Sequence, residues 1–387
     1  MPDFKHLDAL LQDFIQNGLP GCGCAVAKDG KVLYEGYHGF ADIETARPVG
    51  PDTVYRLFSM TKVVICTAAM MLYERGKFLL SDPLYAYIPE YRKSTVALTK
   101  PNGSVELVAA KKPMLVRDAF TMAVGLPHPM GESYTARAMA KVREELAGKH
   151  GKFDLETDTK AMAGVPIAFE PGSHFLYGYG HDLVARLIEV VSGKTVGAFL
   201  KDEIFAPLAM KSTGYRYFGD IRERMISLYE KADNGSWLKI PGMQDDLHEP
   251  DAIFERGGAG LFSTVSDYLV FTQMLANGGM YKKERIIGRK TIDLMRQNQL
   301  GEQQLRDFAG VYNAGYGYGL GVRTMLDRAA GGANNSSGEF GWTGALGTWT
   351  AIDPAEGVSV VYMHQTKPNM EEYHHLRVRA AAFGGLD

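Results

Sequence analysis

The stretch Val63-Val64-Ile65-Cys66-Thr67-Ala68-Ala69-Met70-Met71-Leu72 offers no charged residue and no polar face. A helix that is apolar all round is stable in water only when protein surrounds it. This chain therefore needs a core thick enough to enclose a helix. Its 387 residues, 45% of them hydrophobic, can supply one, and the length favours two lobes over one. The run is the middle of a segment from Tyr55 to Tyr73, whose helix is expected to start at Ser59. Any reactive group at its N-terminal end would enter a sheltered interior.

Two such groups stand there, in Ser59-Met60-Thr61-Lys62. Positions i and i+3 share one helical face, so the lysine amine can reach the serine hydroxyl. A serine hydroxyl attacks carbonyls poorly until a base removes its proton. A lysine serves as that base when burial and the positive end of a helix dipole disfavour its ammonium form. The same four residues also fit an N-cap serine followed by a surface lysine, and spacing alone does not separate the two readings. A second Ser-x-x-Lys, Ser236-Trp237-Leu238-Lys239, lies in a polar turn between Asn234-Gly235 and Pro241 with no helix to present it, and reads as chance.

Helical spacing recurs at Phe4, Leu7, Leu10, Leu11, Phe14 and Ile15, ended by Gly18 and Pro20. Further helices are expected over residues 116–122, 133–146, 181–191, 265–276 and 370–383. β-prone runs at 22–27 and 32–37 flank Asp29-Gly30, a strong hairpin signal. Others lie at 316–324, 346–352 and 358–364, the last two joined through Asp353-Pro354-Ala355-Glu356-Gly357. Strands at both ends and helices between them predict an α/β chain of the α+β type. An antiparallel sheet is built from both termini and covered by the terminal helices, with an all-helical lobe inserted. The expected division is a sheet domain of residues 1–58 and 208–387 and a mainly helical domain of residues 59–207.

A net charge of −3 and a pI near 6.4 leave no basic field for nucleic acid or an anionic membrane. Cys22, Cys24 and Cys66 cannot form a disulfide framework and read as reduced packing residues. With no apolar leader after Met1 and no run of eighteen apolar residues, this predicts a cytoplasmic address and no membrane partner. No Gly-x-Ser-x-Gly or His-Glu-x-x-His occurs, His374-His375 has no spaced partners, and Gly193-Lys194-Thr195 lacks the upstream glycine of a phosphate loop. Neither a metal nor a cofactor is expected.

The run Val54-Tyr55-Arg56-Leu57-Phe58-Ser59-Met60-Thr61-Lys62 resembles the first motif of the class C β-lactamase and penicillin-binding-protein superfamily. Similar blocks follow in the family's order. They are Glu74 to Lys77, Ser81 to Leu84, Val116 to Met122 with Gly125-Leu126, and Phe169 to Ser173 leading to Tyr177-Gly178-Tyr179. Gly257 to Thr264 and Trp342-Thr343-Gly344 complete the series, which spans nearly the whole chain. The resemblance implies a serine β-lactamase/DD-peptidase-like fold with the active site between the lobes. It implies Ser59 as nucleophile, Lys62 as its proton acceptor, and Tyr177 as the phenol that relays the proton. It also implies an oxyanion hole from the backbone N–H groups of Ser59 and Ala345.

Two departures bear on substrate. Trp342 stands where the lactamases place a cation for a substrate carboxylate, and Tyr179 where they place an asparagine for an acylamide. Each lost charge-assisted contact is worth about 1.5–3 kcal/mol. The chain is most similar to the family VIII carboxylesterases, which often carry tryptophan there. Tyr179, Trp342, Thr343 and Gly344 are then the expected substrate contacts, and the partner is a small ester or amide. The same catalytic residues would serve a β-lactamase, a D-amino-acid peptidase or an acyltransferase, with Arg256 or Arg323 as a substitute cation. A non-catalytic penicillin sensor is the alternative outside enzymes, but it needs an extracytoplasmic address.

Overall fold

In the computed structural model, which describes residues 1–310 and 312–386, the first long strand pairs with the last. Gly21–Lys28 lies antiparallel to Val358–Met363 on one edge, with Gly23 opposite Met363, and to Lys31–Asp42 on the other. Among the described residues the sheet has nine strands. Its order runs Tyr316–Tyr318, Arg323–Met325, Phe340–Gly341, Thr348–Asp353, Val358–Met363, Gly21–Lys28, Lys31–Asp42, Arg47–Pro48. Thr343–Gly344 pairs separately with Thr348–Asp353.

Both faces of the central strands are buried, and the period of two sorts their side chains. Cys22, Cys24, Val26, Val358, Val360 and Tyr362 pack beneath the terminal helices Lys5–Gln16 and Glu371–Gly384, against Leu7, Leu11, Phe14, Val378 and Ala382. Ala25, Ala27, Val361 and Met363 face the opposite way into a larger core. The helix Val265–Ala276 covers that second face. The same core continues without a break into the helical lobe through Leu126, Met139 and Leu183.

The apolar helix is enclosed as its composition requires. Thr61–Glu74 is buried from Thr61 through Leu72 and packs on Gly180–Ser192 and Arg289–Met295. It begins at Thr61, after the expected start at Ser59. Tyr55–Arg56 is a short strand paired with Phe262–Ser263, and Phe58–Met60 is a 3₁₀ turn. Leu57 N–H is committed to Leu261 O at 2.9 Å, which holds the entry to the helix extended.

Two other expectations are corrected. The run at residues 316–324 is a hairpin, because the chain reverses through Gly319 to Val322, whose carbonyl accepts the Gly319 N–H at 2.7 Å. Gly321 makes that turn at φ +87°, with Cys66 Sγ so close that any side chain would collide. The inserted lobe also contains a β-hairpin, Thr95–Thr99 with Val105–Ala109. Among the described residues no helix is long and apolar enough to cross a membrane.

Candidate active site

Ser59 sits in the 3₁₀ turn and not in the helix itself. The residue before it, Phe58, takes φ +44°, a left-handed conformation costing a non-glycine residue about 1–2 kcal/mol. Packing holds it there. Phe58 is buried with Leu228 and Leu346, and Leu57 O accepts the Thr348 hydroxyl at 3.2 Å. Tyr268 donates to Met60 O at 2.9 Å on the far side of the turn.

Lys62, fully buried, begins the next turn. Its Nζ lies 3.0 Å from Ser59 Oγ and donates to Gly258 O at 2.5 Å. The Tyr177 ring centroid is 4.7 Å from the same Nζ. Tyr177 is carried by an extended segment docked on residues 122–127. Leu176 N–H reaches Met122 O at 2.8 Å and Tyr179 N–H reaches Leu126 O at 2.9 Å. Between them Gly178 lies so near Leu126 O that a Cβ would sit 2.3 Å from it, so only glycine permits this approach.

Trp342 closes the group. Its indole Nε1–H donates to the Tyr177 hydroxyl at 3.0 Å, with the rings 5.5 Å apart and tilted 33°. Tyr318 supports its edge at 5.1 Å. The polar end of the tryptophan is therefore committed to the phenol. Ser59, Tyr177, Trp342, Thr343 and Ala345 line one cavity of about 470 Å³. Phe175 and Phe308 add apolar wall, while Arg323, Tyr312 and Glu371 form a polar end. Arg323 is buried, with Nη2 on Thr350 O at 3.1 Å and Nη1 lacking a hydrogen-bond partner among the described residues. Burial raises the Glu371 carboxyl above the usual range, against the pull of its Thr343 contact at 3.3 Å.

Two expected substrate contacts turn away from the cavity. Tyr179 is buried, and its hydroxyl donates to Asp158 at 2.5 Å beside the Arg143–Asp158 ion pair. Its backbone has already turned helical as the N-cap of Gly180–Ser192, so it does not share the face of Tyr177. Gly344 is buried against Leu57 O, where a Cβ would sit 2.2 Å away. Of the two substitute cations, Arg323 lines the cavity, whereas Arg256 lies 3.9 Å from Asp182 and over the Phe254 ring.

Asp182, which none of the sequence motifs singles out, supports the surroundings of Lys62. It is buried, and its Oδ1 accepts the N–H groups of Gly257 at 3.1 Å and Gly258 at 3.3 Å, fixing the carbonyl that holds Lys62. Its signal was an acid three residues past the second tyrosine, legible only once the helix start at Gly180 is known. His128 approaches the Tyr177 ring edge-on at 5.4 Å. Burial, then the Lys62 charge, lowers it to about 4, so it is neutral at pH 7.

Among the described residues no cluster of His, Cys, Asp and Glu has metal-site geometry. The arrangement sets a serine hydroxyl in the cavity wall 3.0 Å from a buried amine that lies against a phenol ring, a set of groups suited to covalent acyl transfer.

The chain is 28% identical over 358 residues to Protein Rv1367c of Mycobacterium tuberculosis, covering 91% of this chain and 87% of that protein. It is 27% identical over 383 residues to Esterase EstB of Burkholderia gladioli, covering 93% and 90%. Among solved structures it overlays EstCE1, described as a hydrolase with promiscuous acyltransferase activity, with a TM-score of 0.80 over 98% of both chains at 23% identity. The beta-lactamase family profile matches residues 7–384, and the chain is a member of that family of serine hydrolases.

Proposed function

We propose that this chain hydrolyses short or medium acyl esters through an acyl-enzyme on Ser59. The observation that carries the reading is the buried Lys62 amine, 3.0 Å from Ser59 Oγ and against the Tyr177 ring. Lys62 Nζ takes the Ser59 proton as Oγ bonds to the acyl carbon. The backbone N–H groups of Ser59 and Ala345, both residues of the cavity wall, receive the oxyanion. The Tyr177 hydroxyl gives its proton to the departing alkoxide; the phenolate then takes one from the water that attacks the acyl carbon, and Lys62 returns its proton to Ser59 Oγ as the acyl carbon–Oγ bond breaks. Throughout, the Trp342 N–H remains a donor to the phenol oxygen. The aromatic wall of Phe175, Phe308 and Trp342 favours an uncharged acyl or alcohol group at that end, and the likeness to Esterase EstB supports the ester over the amide. Purified protein is expected to turn over p-nitrophenyl butyrate and Ser59→Ala to lose that turnover. No hydrolysis across several chain lengths would sink the proposal.

A second reading rests on Arg323, a cation in the wall of the same cavity that would suit a substrate carboxylate, as in a β-lactamase or D-amino-acid peptidase. Nitrocefin turnover at rates near those for the ester would favour it.

A further inference from the structure

A cavity larger than the one at Ser59, about 690 Å³, opens elsewhere on the molecule, within the size range of small-molecule sites. Phe205, Ala206, Ala209 and Met210 give it an apolar lining, and Phe218, 48% exposed, adds an aromatic surface. Lys201 and Lys211 line it as well, and both are exposed.

The charge balance there is one-sided. The acids next to Lys201 are engaged elsewhere, Asp202 with Lys194 at 2.8 Å and Glu203 with Arg75 at 2.7 Å. Among the described residues neither Lys201 nor Lys211 has an ion-pair partner. The acid of the cavity wall, Glu255, is buried and faces a cation of its own, although its Oε1 makes no aligned hydrogen bond among the described residues. Arg216 Nη1 stands 2.8 Å from one oxygen, and the Gly197 N–H donates to the other at 2.6 Å. A cationic ligand would find no free carboxylate, whereas an anion would meet two unopposed ammonium groups beside apolar wall.

The wall itself is irregular. Lys201–Phe205 is a π turn, closed by Ala206 N–H on Lys201 O at 2.9 Å, and Ala209 takes φ +56°. Such turns recur at functional sites. The wall also abuts the support of the catalytic base. Tyr215 donates to Arg256 O at 2.7 Å, and Arg256 leads into the Gly257-Gly258 segment that holds Lys62.

We propose that this cavity is a second ligand site, separate from the Ser59 cavity, for a medium-chain alkyl carboxylate. Its tail would lie on Phe205, Ala206 and Met210 and its head against Lys201 and Lys211.

Calorimetric titration of Ser59→Ala protein with decanoate tests this without any turnover, so failure of the esterase reading leaves the result intact. Decanoate is expected to bind, and at least tenfold more weakly after adding Lys201→Glu with Lys211→Glu. Adding Ala206→Trp, which fills the cavity, should do the same. The lysine pair is exposed and should leave the thermal midpoint unchanged, so loss of binding there is not loss of fold. Equal affinity for decyltrimethylammonium would overturn the proposal, as would decanoate binding that ignores both changes. Binding abolished only by Phe308→Trp in the Ser59 cavity would overturn it too.

Discussion

Replacing Trp342 by Phe separates two roles for the residue that stands in the third motif. As an aromatic surface for substrate it would be served nearly as well by phenylalanine. As the hydrogen-bond donor to Tyr177, at 3.0 Å, it would not. A hydrogen bond to a group that becomes charged is worth about 1.5–3 kcal/mol. If that bond is felt mainly when the phenol oxygen carries negative charge, its loss lowers kcat by about 10- to 150-fold and moves KM little. The edge contact with Tyr318 at 5.1 Å and the buried setting of the ring also predict some loss of stability. That loss is measured separately by urea denaturation and kept out of the kinetic comparison by assaying well below the transition. Steady-state hydrolysis of p-nitrophenyl butyrate by wild type and Trp342→Phe is the assay. A kcat within threefold of wild type, with the change confined to KM, would refute the donor role and restore the tryptophan to substrate contact alone.

Tyr179→Phe should cost about 1–3 kcal/mol of stability by leaving the buried Asp158 short of a donor, with KM for the ester unchanged; a large KM effect would return Tyr179 to the substrate site. Asp182→Ala, which releases the Gly257 and Gly258 N–H groups, should destabilise the fold by about 3 kcal/mol and lower kcat at least tenfold, and an unaffected kcat would count against its positioning role. Stability should fall as pH drops from about 6.5 toward 4. Burial holds His374 at about 4, His375 at about 3 and His364 well below its ordinary value, so the unfolded chain binds protons that the native state refuses. Each such histidine adds a slope approaching about 1.4 kcal/mol per pH unit, and urea midpoints that stay flat from pH 7.5 to 4.5 would contradict it.

What could be read from the chain in advance followed from short-range rules. The apolar run at residues 63–72 demanded enclosure, and three-residue spacing brought Lys62 to Ser59. The misreadings came where one regular pattern gives way to another. Tyr177 and Tyr179, two apart, would share a face in a strand, but the chain becomes helical at Tyr179 and swings its side chain into the lobe. Phe58 gave no sign of a left-handed turn, since nothing in its chemistry prefers one; packing on Leu228 and Leu346, far along the chain, imposes it. The hairpin in the inserted lobe did have a local signal, Asn102-Gly103 between β-branched runs, but the helical neighbourhood obscured it. The histidines escaped for a different reason. His374 and His375 show no spaced partner in the sequence, yet the fold lays His364 4.8 Å from one and 6.4 Å from the other, ring centre to ring centre.

The pairing of Gly21–Lys28 with Val358–Met363 bears on how the protein is made. During synthesis the first hairpin leaves the ribosome with one rim of amide and carbonyl groups bare, and its partner strand is not begun until Val358 is translated. At about 5–20 residues per second, that rim waits many seconds for its mate. An open edge of this kind is where strange strands attach. Slow translation or early termination before Val358 should therefore favour aggregation, whatever the stability of the finished enzyme.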